Sequence, residues 1–334
     1  FPALPPEPNL NIQTLFQVCR GDRMKRNFPD SFNTPFEEII TEISNEEAGA
    51  HGDHLGIFLR EPVDLLKELP QIIQESQVIL TFSDNKSAKQ YAFPESEPRG
   101  ALLVWPIQRF GLITVIRLGA QNSANELISA YPWVSEGVQH PVRLQKIRLW
   151  PNRLEAQIQG ALGTEEEMTV TFFDPLFAAN RVFYKKDESY QFILAGFPYT
   201  LEITHSEPIT ISGQDKVRRL RSAMYANDPE QRDSQELLVF QTKGMAALLS
   251  RDDLDPDDYE FQGPVKSVAE LHAKMLGQRV WRIRITINRL CDKDFDIDLY
   301  LTEKVLGNYE MPEVGDDVRG VLWLQGYLWM PGLG

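Results

Sequence analysis

His51, Asp53 and His54, with Glu46 and Glu47 just before them, form the densest group of metal-ligating side chains in this 334-residue chain. Two histidines with two residues between them can reach one ion from a turn, and the carboxylates would complete its shell. The spacing is not the helical HExxH of metalloproteases, which sets both histidines on one face, and Gly52 lies inside the motif. The same residues also read as a polar loop between a helix and a strand. A metal-dependent enzyme at His51, Asp53 and His54 is therefore the third of three functional readings.

Acidic residues recur twice more. Asp292, Asp294, Asp296 and Asp298 alternate along one strand-like stretch, where they would bind a cation or a basic partner unless cross-strand arginines neutralise them. Asp252, Asp253, Asp255, Asp257 and Asp258 resemble a calcium loop only in charge. The Gly and the bidentate Glu of an EF-hand are missing and Pro256 stiffens the run, so a solvated turn is expected. Lys216, Arg218, Arg219 and Arg221 make the one concentrated basic patch. Together with Tyr190, Trp323 and Tyr327 as stacking platforms they would bind single-stranded nucleic acid, although alternation commits half of such rings to a core. The net charge of −14 disfavours that reading, because it repels polyphosphate at long range. No GxSxG, P-loop or dinucleotide glycine motif occurs, and His140, His205 and His272 are isolated in sequence. The chain is thus expected to lack a cofactor and to be non-catalytic.

The elements that must carry these residues mix helices and strands at the front. Pro35–Ile43 starts a helical pattern with Thr34 as N-cap, and Gly56–Leu59 is strand-like. Val63–Ile73 follows a helical stripe, with Pro62 in the first turn and Pro70 inside. Val78–Phe82 reads as a strand, Ala101–Trp105 and Leu112–Leu118 as a hairpin, and Asn125–Ala130 as a short helix. Further on, Asp215–Tyr225 is a basic helix, Leu237–Leu249 is strand-like and Val265–Leu276 is a helix ended by Gly277.

Behind the front part, one pattern occurs twice. Ile147-Arg148-Leu149 and Asn152-Arg153-Leu154 return as Ile283-Arg284-Ile285 and Asn288-Arg289-Leu290, offset by 136 residues. Alternation predicts a hairpin in each copy. In the first, Ile147 faces Ile158 and Leu149 faces Ala156 around Asn152-Arg153. In the second, Ile283 faces Ile297, Ile285 faces Phe295 and Trp281 faces Leu299, with Arg284 opposite Asp296 and Arg282 opposite Asp298. Both copies end in a turn and an alternating strand that reaches a glycine nine residues on, Asp187 to Gly196 and Asp317 to Gly326. Strands of this length meeting at glycine bends resemble small OB-type barrels in their general fold.

The expected fold is therefore α+β and β-rich. A mixed α/β domain at 1–140, with a Pro-rich arm at 1–10, precedes a first OB-like domain at 141–212, a basic helical linker at 213–236 and a second OB-like domain at 237–334. Hydrophobic content of 42 % and charged content of 25 % suit a soluble globular protein. No apolar run approaches the roughly 18 residues of a membrane span. Cys19 and Cys291 are unclustered, as in a reducing, cytoplasmic setting, while the start at Phe1 leaves room for a removed signal peptide. The leading functional expectation is binding or assembly with a protein partner through the acidic surface or barrel grooves, and single-stranded nucleic-acid binding is the alternative.

Overall fold

The computed structural model describes residues 38–48, 51–59, 62–82, 100–106, 110–117, 126–163, 168–204, 208–234, 236–240, 242–275, 278–290, 293–307 and 309–328. The arm at 1–10, Thr34, Cys19, His205, Cys291 and Asp292 lie outside them, as does the side chain of Asp53.

The front part begins with β1 (Ile40–Glu42), which runs parallel to β6 (Val138–Leu149) and pairs Ile40 with Ile147. A helical start at Pro35–Ile43 thus gives way to an edge strand. Ser44 and Glu47 then close a reciprocal capping box, Ser44 N to Glu47 Oε2 at 2.9 Å and Glu47 N to Ser44 Oγ at 3.2 Å, which starts α1 (Asn45–Ala48). The one-turn α2 (Gly52–Leu55) follows, and Gly56–Leu59 is a turn with Ile57, Phe58 and Leu59 buried. α3 (Pro62–Glu75) forms with Pro70 inside it, as expected. An antiparallel sheet joins β2 (Gln77–Phe82), β3 (Gly100–Trp105), β4 (Phe110–Arg117) and β5 (Glu126–Val134). β5 replaces the expected helix at Asn125–Ala130. β4 offers Ala130 and Tyr131 a ladder through Thr114 and Ile113, which outweighs the local helical preference.

The rest is dominated by one ten-stranded sheet, ordered β1-β6-β7-β8-β16-β9-β15-β14-β13-β12. Its further strands are β7 (Ala156–Leu162), β8 (Met168–Asp174), β9 (Ser189–Thr204), β12 (Ala247–Leu249), β13 (Asp258–Met275), β14 (Gln278–Leu290), β15 (Lys293–Thr302) and β16 (Asp317–Leu328). Among the described residues the sheet runs from β1 to β12 as one open order, and this overturns the two OB-like barrels. The two halves do not hold separate strand sets. β8 of the first half bonds in parallel to β16 of the second, and β15 bonds in parallel to β9. β9 and β16 pair along most of their lengths at the centre. Gly196 and Gly326 permit close packing there, since a Cβ on either would come within 2.7 Å and 2.4 Å of Leu299 and Leu194 side-chain atoms respectively and push them aside. The helix expected at Val265–Leu276 falls in β13, where the ladder to β14 outweighs the helix propensity of Ala-Glu-Leu.

Both hairpins of the repeat exist. The first has the expected register, Ile147 opposite Ile158 and Leu149 opposite Ala156. The second is shifted by two residues: Ile283 faces Leu299, Ile285 faces Ile297 and Arg284 faces Asp298. An even shift keeps every side chain on its expected face, so Ile283, Ile285, Phe295, Ile297 and Leu299 all enter one core. The connectivity repeats as β6–β9 and β13–β16, with the first strand of each set also pairing with the last. The eight-residue repeat therefore sits one strand out of step with this duplication, on β6–β7 and on β14–β15.

The chain between β9 and β12 holds a separate ribbon, β10 (Ile209–Ile211) with β11 (Leu238–Phe240), and two helices, α5 (Gln214–Met224) and α6 (Pro229–Arg232). Shorter helical turns, α4 (Phe177–Asn180) and α7 (Glu303–Leu306), follow β8 and β15. Front part and large sheet share a core containing Phe58, Leu102, Phe110, Trp133, Phe173, Phe197 and Trp323. Polar links seal the contact: Thr302 Oγ1 donates to Ile57 O at 2.9 Å, and Tyr327 Oη to Ser135 O at 2.8 Å. Among the described residues, no helix is long and apolar enough to cross a membrane.

Candidate functional site

β1 and the bond from Ile43 N to Leu149 O (3.0 Å) fasten the front segment beside the end of β6, and this brings α1 and α2 against the β6–β7 turn. That turn, Trp150–Glu155, is closed by Arg153 N to Trp150 O and Trp150 N to Glu155 O, both 2.9 Å, with Arg153 in the left-handed region at φ 60°. Asn152 Oδ1 accepts from Leu154 N at 2.9 Å and Glu155 N at 3.3 Å, while its amide donates to Glu155 Oε2. A turn-forming Asn thus also aims the carboxylate after it.

Glu155 is buried, and its Oε1 also accepts from Ser129 Oγ (2.8 Å) and lies 3.0 Å from His51 Nε2. Burial opposes its ionisation, but the bonds from His51, Ser129 and Asn152 hold its carboxyl below the usual range. His51 Nδ1 is 2.9 Å from His54 Nδ1. Around the pair stand Tyr131, Trp150, Phe173 and Trp323, with ring centroids 4.8 to 6.3 Å from His51. His54 lies face to face on Trp323, at 3.8 Å and 5°. Burial pushes the pKa of His54 well below 6.5.

These contacts admit one proton arrangement when both rings are neutral. An ionised Glu155 only accepts, so His51 carries its proton on Nε2 and offers a lone pair at Nδ1. His54 must then donate from Nδ1, which leaves its Nε2 with a lone pair. That Nε2 has no partner among the described residues.

The expected metal site at His51, Asp53 and His54 is corrected by this geometry. Three of the four ring nitrogens are directed at each other or at Glu155 rather than at a common point. Among the described residues, no group of three or more His, Cys, Asp and Glu is arranged to hold a metal ion. The nucleic-acid reading is likewise corrected, because the grooves of separate barrels do not exist. Trp323 is fully buried, Tyr190 Oη donates to Phe183 O at 2.7 Å, and Tyr327 is tied to Ser135. Lys216, Arg218 and Arg219 are exposed on α5, away from the sheet strands carrying those rings. Arg221 is buried, donating to Gln231 O and Glu236 O at 2.7 and 2.9 Å. The acidic row offers no barrel groove either. Asp298 takes a two-point bond from Arg284 at 2.7 and 3.0 Å, Asp294 pairs with Lys266 and Arg289, and Asp296 with Lys266 and Thr286.

Glu155 and Ser129 escaped the sequence reading, Asn152 entered it only as a turn residue and Asp257 only as part of a solvated acidic turn. One signal for Glu155 existed: the first copy of the repeat continues Asn-Arg-Leu with Glu155, where the second continues with Cys291. The acidic turn is only half solvated. Asp252, Asp253 and Asp255 are exposed, whereas Asp257 and Asp258 are buried. Burial pushes the Asp257 carboxyl up to about 6, against bonds that include one from Trp323 Nε1. A further buried carboxyl, Asp174, is pushed by burial up to about 7 despite bonds from Tyr184 Oη and Leu176 N.

No family model matches the chain, and no curated protein or solved structure matches it either.

Proposed function

We propose that the chain is an enzyme using general acid–base chemistry, with His54 as the proton-transferring group and Glu155–His51 as the relay that sets its tautomer. The carrying observation is the hydrogen-bonded Glu155–His51–His54 chain, assembled from a front helix and a hairpin turn 104 residues apart in sequence. A lone pair on Nε2 is what a base needs, and a depressed pKa keeps it available at neutral pH. The reaction class is water-activated hydrolysis. His54 Nε2 takes a proton from water, the hydroxide adds to an electrophilic carbon or phosphorus, and the same proton passes to the leaving group as its bond breaks. Two unclustered cysteines, Cys19 and Cys291, support a reducing, cytoplasmic setting.

A panel of chromogenic carboxylic esters, phosphoesters, amides and glycosides tests this reading. His54→Gln should lose about 10²–10⁴-fold of any turnover, the usual scale for a positioned acid or base. Glu155→Gln should lose activity while keeping the fold. The rate should stay level through neutral pH and fall only well below pH 6.5, where His54 gains a proton. Turnover that survives His54→Gln, or none with any member of the panel, would sink the proposal.

A further inference from the structure

We infer that Asp257 is a positioning residue for His54, acting through the indole of Trp323; this rests on the relay proposed above. Trp323 Nε1 donates to Asp257 Oδ2 at 2.9 Å, and Asp257 Oδ1 accepts from Gln157 Nε2 at 2.6 Å. The main chain reinforces the link, since Leu324 N donates to Asp257 O at 2.8 Å. The indole so held lies 3.8 Å from the His54 ring at 5°. A second ring near His54, Tyr199 at 6.1 Å, is anchored in the same manner, with its Oη donating to Asp258 Oδ1 at 2.9 Å. Consecutive aspartates thus tether two aromatic rings that flank one imidazole.

The stack has a chemical consequence. An imidazole turned by half a rotation about its outer side-chain bond exchanges Nδ1 for a carbon and breaks the bond to His51. To make that turn, the ring must sweep through the space the indole occupies. A fixed indole therefore keeps Nδ1 on His51 and Nε2 off it, and Asp257 fixes the indole.

Nitrogen-15 spectroscopy of the His54 ring in the full chain tests this directly. The unaltered protein should show one tautomer, protonated at Nδ1. Asp257→Asn should be disturbed less than Asp257→Leu, because its amide oxygen still accepts from Trp323 Nε1, although a turned Gln157 amide gives up the bond it accepts from Arg148 Nε. Asp257→Leu and Trp323→Phe should each give exchange-broadened mixtures of both tautomers, and combining them should add nothing further. If Asp257→Leu fails to fold, Trp323→Phe carries the same comparison with a milder change. A folded Trp323→Phe protein with an unaltered His54 signal would overturn the positioning role and leave the relay standing. So would an Asp257→Asn protein as disturbed as Asp257→Leu. A His54 protonated at Nε2 in the unaltered protein would overturn the relay itself.

Discussion

The β6–β7 and β14–β15 hairpins share the sequence Asn-Arg-Leu, which forms the turn of the first and the last residues of β14 in the second, and the two ends meet opposite surroundings. At the first, β5 and the segment bearing His51 cover the turn, so Glu155 is buried and every donor around it is directed inward. At the second, Arg289 and Lys266 meet Asp294 in the open, with side chains between a third and a half exposed. The same three residues reverse the chain in one copy and extend the ladder in the other. What covers each end decides whether its polar side chains form a surface ion pair or a buried relay.

The contrast can be broken in several ways. Both hairpins place an isoleucine in the core, Ile158 and Ile297, each without exposure. Replacing either by Asp should destabilise the protein by at least about 4 kcal/mol in urea unfolding, since each buries an unpaired charge. A mild effect at one of them would show that the two cores are not equivalent. Glu155→Ala comes next, at about 3 kcal/mol, because His51, Ser129 and Asn152 all lose an acceptor. An effect below about 1 kcal/mol would mean that the turn is solvated after all.

The pH dependence sharpens the comparison. Glu155 has a depressed pKa, so its share of stability is present above 4.5 and is lost as pH falls through its folded value. Asp174, across the ladder from Ala156, runs the other way. Its pKa is raised from 3.8 to about 7, so the folded chain keeps a proton that the unfolded chain has released. Its share of stability should fall as pH rises between these values by at most about 1.4 kcal/mol per pH unit, and Asp257 adds a similar fall up to about pH 6. Asp174→Asn should flatten that slope in unfolding curves taken from pH 4 to pH 7, and an unchanged slope would refute the assignment. The smallest effect is expected at the open hairpin, where Asp294→Ala should change stability by less than ~1 kcal/mol. A loss comparable to that of Glu155→Ala would erase the distinction between the two turns.

Much of the sheet was legible, because alternation reports faces reliably. The register of the first hairpin followed from its apolar pairs. That of the second did not, because its arginines and aspartates each recur every second residue and pair as well after a two-residue shift. The irregularity between Thr286 and Asn288 has no sequence mark. Asn125–Ala130 and Val265–Leu276 failed where partner strands overruled local preference. At the site, His51 and His54 stood out by spacing. Their partners Glu155 and Trp323 are joined to them only by the docking of distant strands, which no local pattern encodes.

The parallel bonds from β8 to β16 and from β15 to β9 carry a consequence for biosynthesis. During translation the first half emerges with two strands whose outer partners do not yet exist. It cannot finish its hydrogen-bond ladder until the last residues of β16 have left the ribosome. A nick in the chain between the halves should accordingly yield two fragments that are insoluble alone and reassemble when mixed, so that the molecule behaves as an obligate partnership held within one polypeptide.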